Sequence, residues 1–213
     1  MDKLAKVQPT QNAHNVYALD ALANEIRRKN LLLYFMQLAE RKPEVLLIGE
    51  APGYQGCRWT GVSFCSEHII TNGIPEIDMF GSHKGYKKTD ESEKVWKEPS
   101  ATIVWNVLKG VKNLPLIWAS YPYHPHKPGK RLTNRAPTSE ELAIGRPFIQ
   151  ELIDIFGIKK VIAIGNKAEL TLNKLNIPAP KVRHPSHGGA KLFAEGIHKL
   201  LSAKAENHGI CRG

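Results

Sequence analysis

The sequence has few cysteines and lacks any long apolar segment. Its three cysteines, Cys57, Cys65 and Cys211, form no Cys-x-x-Cys pair, and an odd number argues against a disulfide framework. The longest strongly apolar run, residues 31–36, is far too short to cross a bilayer. No apolar segment follows the first residues, as a signal peptide would require. We therefore expect a protein of a reducing cytoplasm with no membrane partner.

Acidic residues are outnumbered by basic ones. The chain has 30 lysines and arginines against 20 aspartates and glutamates, which gives a formal net charge of +10. A phosphate backbone is the commonest partner of such a surplus, although a basic solvated surface would have the same composition. Apolar content of 42% and a length of 213 residues fit one globular domain over residues 1–213. From the charge we expect this domain to bind nucleic acid, and we expect it to be a monomer.

The order of the periodic segments predicts alternating strands and helices. The predicted strands are 45–48, 114–118, 160–164 and a short one at Val182. Residues 15–40 are predicted to form one long helix or a bent pair of helices. The apolar residues at helical spacing, which would form its core face, are Leu19, Leu22, Ile26, Leu33, Met36 and Leu38. The other predicted helices are 100–108 capped by Ser100, one behind the capping box Thr138-x-x-Glu141, one opening at 165–166, and 189–203. Residues 1–14 are expected to be loose and residues 81–94 to form a surface insertion. Such alternation is typical of an α/β fold with a parallel sheet and helices on both faces.

Three unusual segments follow predicted strands. They are residues 49–64, 119–135 and 183–189, which are rich in glycine, proline, histidine and basic residues. Ligands of open parallel sheets bind outside the carboxyl ends of the strands. We therefore expect the three segments to form one site.

Each segment offers a residue with a plausible chemical role. Glu50, between Gly49 and Gly53, could orient water or stabilise a cationic transition state, and its alternative role is to cap backbone N–H groups. Phe64 could stack on a nucleobase, although its spacing also fits a core residue. His184 could donate a hydrogen bond to a developing oxyanion, and its alternative role is structural.

The stretch "HPHKPGKR" makes the second segment strongly basic. Its cations and Arg135, next to Tyr121 and Tyr123, fit a strand of nucleic acid, and the alternative is a solvated charge run. His124 and His126 have the spacing of a metal pair, but no third ligand of suitable spacing accompanies them. We therefore expect no metal ion and no other cofactor.

Three motifs together resemble a known family. "GEAPG" at residues 49–53, the Gly-x-x-Phe turn that ends at Phe64, and "HPS" at residues 184–186 resemble the uracil-DNA glycosylase superfamily. "GEAPG" is most similar to the bacterial and archaeal family 4, and "HPHKPG" and "HPSHGGA" are similar to a prokaryotic branch. The resemblance covers about residues 40–205. It implies a three-layer α/β/α sandwich around a four-stranded parallel sheet, and a base-excision repair enzyme that flips uracil or another deaminated base out of DNA and hydrolyses its N-glycosidic bond.

The resemblance also implies residue roles. Glu50 would position water or stabilise the oxocarbenium-like sugar, and His184 would hydrogen-bond the base as it leaves as an anion. The implied base-binding residues are Gly49, Ala51, Phe64, Ala119 and Ser120. The proposed DNA-binding residues, which include the implied minor-groove loop at 185–188, are Lys127, Lys130, Arg131, Arg135, Arg183, Pro185, Ser186, His187 and Gly188.

Two departures from family 4 affect these expectations. Family 4 carries a [4Fe-4S] cluster on four cysteines, whereas this chain has three without suitable spacing, so we expect no cluster. Ala119 stands where family 4 has the asparagine that reads the uracil edge, which leaves uracil specificity open. Two alternatives remain. The first is a damage-binding protein of the same fold with little turnover, which could bind DNA covalently through His124, His126 or the 81–94 insertion. The second is an unrelated nucleotide-binding α/β enzyme.

Overall fold

The computed structural model describes residues 1–202. Within them the strands are β1 (Ala13–His14), β2 (Val45–Gly49), β3 (Leu116–Ala119), β4 (His124–Pro125), β5 (Lys160–Ile164) and β6 (Lys181–Val182). The helices are α1 (Asp2–Lys6), α2 (Leu22–Arg41), α3 (Cys57–Thr60), α4 (Glu67–Asn72), α5 (Pro99–Leu108), α6 (Ser139–Phe156), α7 (Asn166–Lys174) and α8 (Ala190–Ser202), with 3₁₀ turns at Pro75–Ile77 and Ser82–Lys84. Among these helices, none combines the length and apolar character that crossing a bilayer requires.

The core is a four-stranded parallel sheet in the order β3-β2-β5-β6. The central strand β2 is flanked by β3 and β5, and Leu46, Leu47 and Ile48 are fully buried. Near-continuous apolar strands are what a parallel sheet covered on both faces requires. Helix α5 packs on α8 and α6 packs on α7, with helices flanking the sheet. The predicted α/β class and four-stranded parallel sheet are therefore confirmed.

The N-terminal residues are ordered, so the expectation that residues 1–14 are loose is wrong. Helix α1 buries Leu4, and β1 pairs antiparallel with β4, which places His14 opposite His124. The Asn15 amide donates to three carbonyls at the end of α1 and just beyond it. Because these contacts are long-range and polar, apolar periodicity does not reveal them.

The long helix begins at Leu22 rather than at residue 15, and its predicted core face is partly wrong. Leu19, Leu22 and Met36 are exposed, whereas Arg27 and Asn30 are buried. The Asn30 amide donates to the carbonyls of Thr60 and Lys87, and Arg27 pairs with Glu91. The helix thus packs against polar segments, and its inward face carries polar residues.

Three further local predictions have different outcomes. The segment 81–94 is only partly on the surface, since Tyr86 and Thr89 are buried. The capping box of Thr138 and Glu141 at the start of α6 is confirmed. Helix α5, however, is capped by Glu98 rather than Ser100, with Pro99 as its first residue, and the Glu98 side chain makes no capping hydrogen bond.

Candidate active site

The three segments that follow β2, β3 and β6 meet around one cavity of about 390 Å³. This size falls within the usual range for a small-molecule pocket. Its lining residues are Gly49, Glu50, Ala51, Pro52, Gly53, Cys57, Ser63, Phe64, Glu98, Ser100, Ala119, Asn134, Arg135, Ala136, His184, Ser186 and His187. The cavity therefore lies at the carboxyl ends of the central strands, where the sheet topology places a ligand site.

Phe64 forms a fixed wall of the cavity. Its φ of 49° is rare for a side-chain-bearing residue, and its carbonyl oxygen accepts a hydrogen bond of 2.8 Å from Trp105 Nε1. A Cβ atom at position 49 would lie 2.6 Å from the Cε2 atom of the Phe64 ring, which explains Gly49. The ring centroid lies 6.0 Å from that of His184, so the aromatic face borders the imidazole.

His184 is held as a neutral hydrogen-bond donor. The backbone N–H of Ser186 donates to His184 Nδ1 at 3.2 Å, and the Ser186 hydroxyl lies 2.7 Å from the same atom. Because a backbone N–H can only donate, Nδ1 is an acceptor and the neutral ring carries its proton on Nε2. Burial, Arg183 and His187 lower the pKa of His184, which keeps the ring neutral near pH 7.

Glu50 is a half-buried acid at the end of β2. Its side chain makes no hydrogen bond to any residue in 1–202, and so the capping alternative has no support in the structure. Burial raises the pKa of Glu50, whereas the ammonium group of Lys167 lowers it. The side chain thus lines the cavity without a hydrogen-bond partner among residues 1–202, where it can act on a bound molecule.

Glu98 is a second acid of the cavity, and the sequence did not single it out. Its Oε1 atom would lie 2.6 Å from a Cβ atom at Gly53, and its Oε2 atom would overlap a Cβ atom at Gly56. Burial raises the pKa of Glu98 to about 7. An acid that precedes Pro99 at a helix start is typical of a cap, so the local sequence carries no signal of its actual position.

Three predicted base-binding residues differ in their position relative to the cavity. Ala119 lines the cavity at the end of β3, and Ala51 lines it after β2. Ser120 is fully buried, and its hydroxyl donates to the Gly49 carbonyl at 2.8 Å. The predicted base contact from Ser120 is therefore wrong, because its hydroxyl joins the two strands instead.

Some of the predicted DNA-binding residues are exposed, whereas others are buried or hydrogen-bonded within the protein. Lys127, Lys130, Arg131, Arg183, His187 and Gly188 are exposed. Pro185 is buried, and the Ser186 hydroxyl lies against the two neighbouring imidazoles. The Arg135 guanidinium donates to both carboxylate oxygens of Glu141 and to backbone carbonyls, so its donors serve the loop rather than a phosphate.

The aromatic and imidazole side chains of the basic loop point inward. Tyr121 and Tyr123 are fully buried, so the interpretation that they contact nucleic acid is wrong. His124 is also buried, and its ring nitrogens lie 2.8 Å and 2.9 Å from the carbonyls of Pro52 and Arg131. That environment leaves His124 unavailable for attachment to DNA.

The two described cysteines, Cys57 and Cys65, are buried free thiols. Burial raises the pKa of the Cys57 thiol to about 12 and that of Cys65 well above its usual range. Within residues 1–202, no group of three or more histidines, cysteines, aspartates or glutamates could hold a metal ion. Cys211 lies outside the described residues.

Comparison with known proteins gives the family. The family model described as the uracil DNA glycosylase superfamily matches residues 35–202. Among solved structures, the fold is similar to "The crystal structure of WT Pedobacter heparinus SMUG2", with a TM-score of 0.59, 14% identity and coverage of 94% of each chain. No curated protein matches the sequence. Since the family model spans most of the chain and the fold agrees, the protein belongs to the uracil DNA glycosylase superfamily.

Proposed function

We propose that the protein is a DNA glycosylase of base excision repair that flips a deaminated base out of DNA and hydrolyses its N-glycosidic bond. The observation that carries the proposal is that Glu50 and His184 line one cavity with the fixed ring of Phe64. A carboxylate and a neutral N–H donor suit the two opposite charges that develop when this bond breaks. An aromatic wall suits a flat base, since stacking contributes roughly 1–3 kcal/mol per base.

The reaction begins with extrusion of the target nucleotide. Taking a base out of a duplex costs a few kcal/mol and costs least at a mismatch, which is what a deaminated base forms. The exposed residues Lys127, Lys130, Arg131 and Arg183 would bind the phosphates, and the loop with His187 and Gly188 would enter the groove. Arg135 would order the loop through Glu141 rather than bind DNA.

Bond cleavage separates charge between the sugar and the base. The electron pair of the C1′–N bond goes to the base nitrogen, and the sugar becomes an oxocarbenium-like cation. His184 Nε2–H would donate to a carbonyl oxygen of the departing base anion. The Glu50 carboxylate would stabilise the cation, orient a water that adds to C1′ and accept the proton that this water loses, and the released base anion would take up a proton from solvent. No metal ion is needed for these steps.

Ala119 bears on which base is released. Its methyl group offers neither a donor nor an acceptor to the base edge. The lack of a polar group at Ala119 favours a second candidate function, in which the protein binds damaged DNA with little turnover. The two functions differ in product: turnover leaves an alkali-sensitive abasic site, whereas tight binding without turnover leaves intact DNA.

Single-turnover base release by matched variants tests the proposal. Glu50→Gln and His184→Ala should each slow release by at least about tenfold, because removal of one group that stabilises developing charge typically costs about 10²–10³ in rate. Glu40→Gln and His198→Ala, at exposed positions of α2 and α8, are the controls and should keep the wild-type rate. Rates of Glu50→Gln and His184→Ala within twofold of wild type, with folding intact, would remove both residues from the mechanism.

A further inference from the structure

Glu98 has no structural role that explains its burial in the cavity wall. It caps α5 by backbone position only, and its side chain instead reaches the loop between Gly53 and Gly56. Its Oε2 atom is buried and has no hydrogen-bond partner among residues 1–202. Buried polar atoms in proteins are almost always paired, so an unpaired carboxyl oxygen beside a cavity needs an explanation.

The two oxygens of Glu98 lie in different surroundings. The Oε2 atom is buried and lies nearest to Gly56, whereas the Oε1 atom lies nearest to Gly53, a residue of the cavity lining, although a Cβ atom at Gly56 would also lie 3.1 Å from Oε1. A buried carboxylate charge without a partner costs far more than an uncharged carboxyl group. A neutral acid with its hydrogen on Oε1 would avoid that cost and would present an O–H group beside the cavity.

The titration of Glu98 agrees with this state. Burial raises its pKa to about 7, so the neutral form is well populated at neutral pH and predominates below it. The thiols of Cys57 and Cys65 lie near enough to interact with Glu98, and burial keeps both uncharged. Burial alone shifts the pKa of Glu98, and no positive charge of residues 1–202 offsets the cost of ionisation.

We propose that Glu98 is a specificity residue whose Oε1–H donates a hydrogen bond to the exocyclic carbonyl of the flipped base. This inference rests on the proposed function and names the residue that would read the carbonyl oxygen by which a deaminated base differs from its parent. By deamination, cytosine becomes uracil, and adenine becomes hypoxanthine. The parent bases would point an amino donor at the Glu98 donor, and neither group would then be satisfied.

Neighbouring polar groups are less suited to this role. Ala119 has no polar side-chain atom, and the Ser120 hydroxyl is bonded to the Gly49 carbonyl. The Arg135 guanidinium is engaged with Glu141. The Asn134 Oδ1 atom accepts a hydrogen bond of 2.8 Å from the Tyr54 backbone N–H, and its Nδ2 donor belongs to a solvent-exposed residue, unlike the carboxyl group of Glu98.

Binding of non-cleavable DNA tests the inference without relying on turnover. The probes are two oligonucleotide duplexes that carry 2′-fluoroarabinouridine or 2′-fluoroarabinocytidine opposite an abasic spacer, so that base pairing does not differ between them. Wild-type protein should bind the uracil probe at least about tenfold more tightly, since leaving buried donors unsatisfied is penalised by about that factor or more. Glu98→Gln, which keeps an N–H donor, should retain most of this ratio.

Apolar variants supply the contrast. Glu98→Met keeps the volume of the side chain but has no donor, so it should reduce the uracil-to-cytosine affinity ratio to about twofold or less. If Glu98→Met does not fold, Glu98→Ala serves as the apolar variant. Glu40→Gln is the control. A ratio that survives in the folded apolar variant, or is lost in Glu98→Gln, would overturn the inference, as would a wild-type ratio near one.

Excision from ordinary uracil-containing DNA, measured beside the binding, separates the two proposals. If wild-type protein prefers the uracil probe through Glu98 but releases no uracil, the proposal of hydrolysis is refuted and the proposal that Glu98 recognises the base is supported. If wild-type protein releases uracil and the apolar variant keeps the preference for the uracil probe, the proposal of hydrolysis is supported and the proposal for Glu98 is refuted.

Discussion

Replacing Glu98 by glutamine should stabilise the folded protein, and the gain should grow with pH. Burial raises the pKa of Glu98 from its ordinary value of 4.5 to about 7, so the folded state holds this proton more tightly than the unfolded state does. The contribution of the group to stability is therefore complete below about pH 4.5 and is lost as the pH rises through about 7. Glutamine does not ionise, so Glu98→Gln avoids this loss.

The magnitude follows from the two pKa values. Each unit of pKa difference corresponds to about 1.4 kcal/mol, so ionised Glu98 costs the folded protein about 3 kcal/mol relative to the neutral acid. The difference in unfolding free energy between Glu98→Gln and wild type should accordingly rise by about 2–3 kcal/mol between pH 5 and pH 8. Such a change is a large part of the stability of an ordinary domain.

Urea unfolding at several pH values measures this difference. Wild type, Glu98→Gln and the exposed control Glu40→Gln are unfolded at pH 5, 6, 7 and 8, with the slope against denaturant checked for each. Glu40→Gln should track wild type at every pH. A Glu98→Gln difference that does not change with pH, or a loss of stability at pH 8, would show that Glu98 is solvated or paired in the folded protein and would refute the reasoning.

Three further outcomes are expected. The logarithm of DNA affinity should fall linearly with the logarithm of salt concentration, and Lys130→Ala should reduce the slope by about one, whereas a flat dependence would contradict the basic surface. Ala119→Asn should raise uracil release relative to hypoxanthine release, because asparagine offers a donor and an acceptor to a pyrimidine edge; an unchanged ratio would show that Ala119 does not face the base. Arg135→Ala should lower the unfolding free energy by about 3 kcal/mol in urea, because it leaves the buried Glu141 carboxylate without its cation, and unchanged stability would contradict that pairing.

The sheet and the location of the site could be predicted because they depend on local patterns. Continuous apolar runs mark the buried strands β2 and β5, and the capping box at Thr138 marks the start of α6. Parallel topology then brings the segments after the strands to one edge. Gly49 and Phe64, 15 positions apart, meet there because the chain returns across the end of β2.

The parts that were missed depend on long-range polar contacts. The inward face of α2 carries Arg27 and Asn30, whose partners lie about 30 to 64 residues away. Tyr121 and Tyr123 precede a basic loop in the sequence, yet both are buried beneath the N-terminal segment, where the Tyr123 hydroxyl donates to the Leu4 carbonyl. No local pattern reports such contacts.

Glu98 shows the same limit within the site. The local sequence is typical of a helix start, and a carboxylate there normally binds the free N–H groups of the first turn. The side chain instead turns toward Gly53 and Gly56, because the absence of Cβ atoms at those positions leaves space for it. Only the tertiary arrangement of two distant segments decides between the two positions.

Identification of the released product tests the proposed hydrolysis most directly. Wild-type protein in excess is incubated with duplexes that carry a single uracil, hypoxanthine, xanthine or mispaired thymine, and the free base is quantified by mass spectrometry beside the alkali-sensitive abasic sites. We expect at least one deaminated base to appear free in an amount equal to the abasic sites, with none released from undamaged DNA. Tight binding of the lesion duplexes with no free base from any of them, or a protein–DNA band that survives denaturation in place of the free base, would contradict the assignment as a hydrolytic DNA glycosylase.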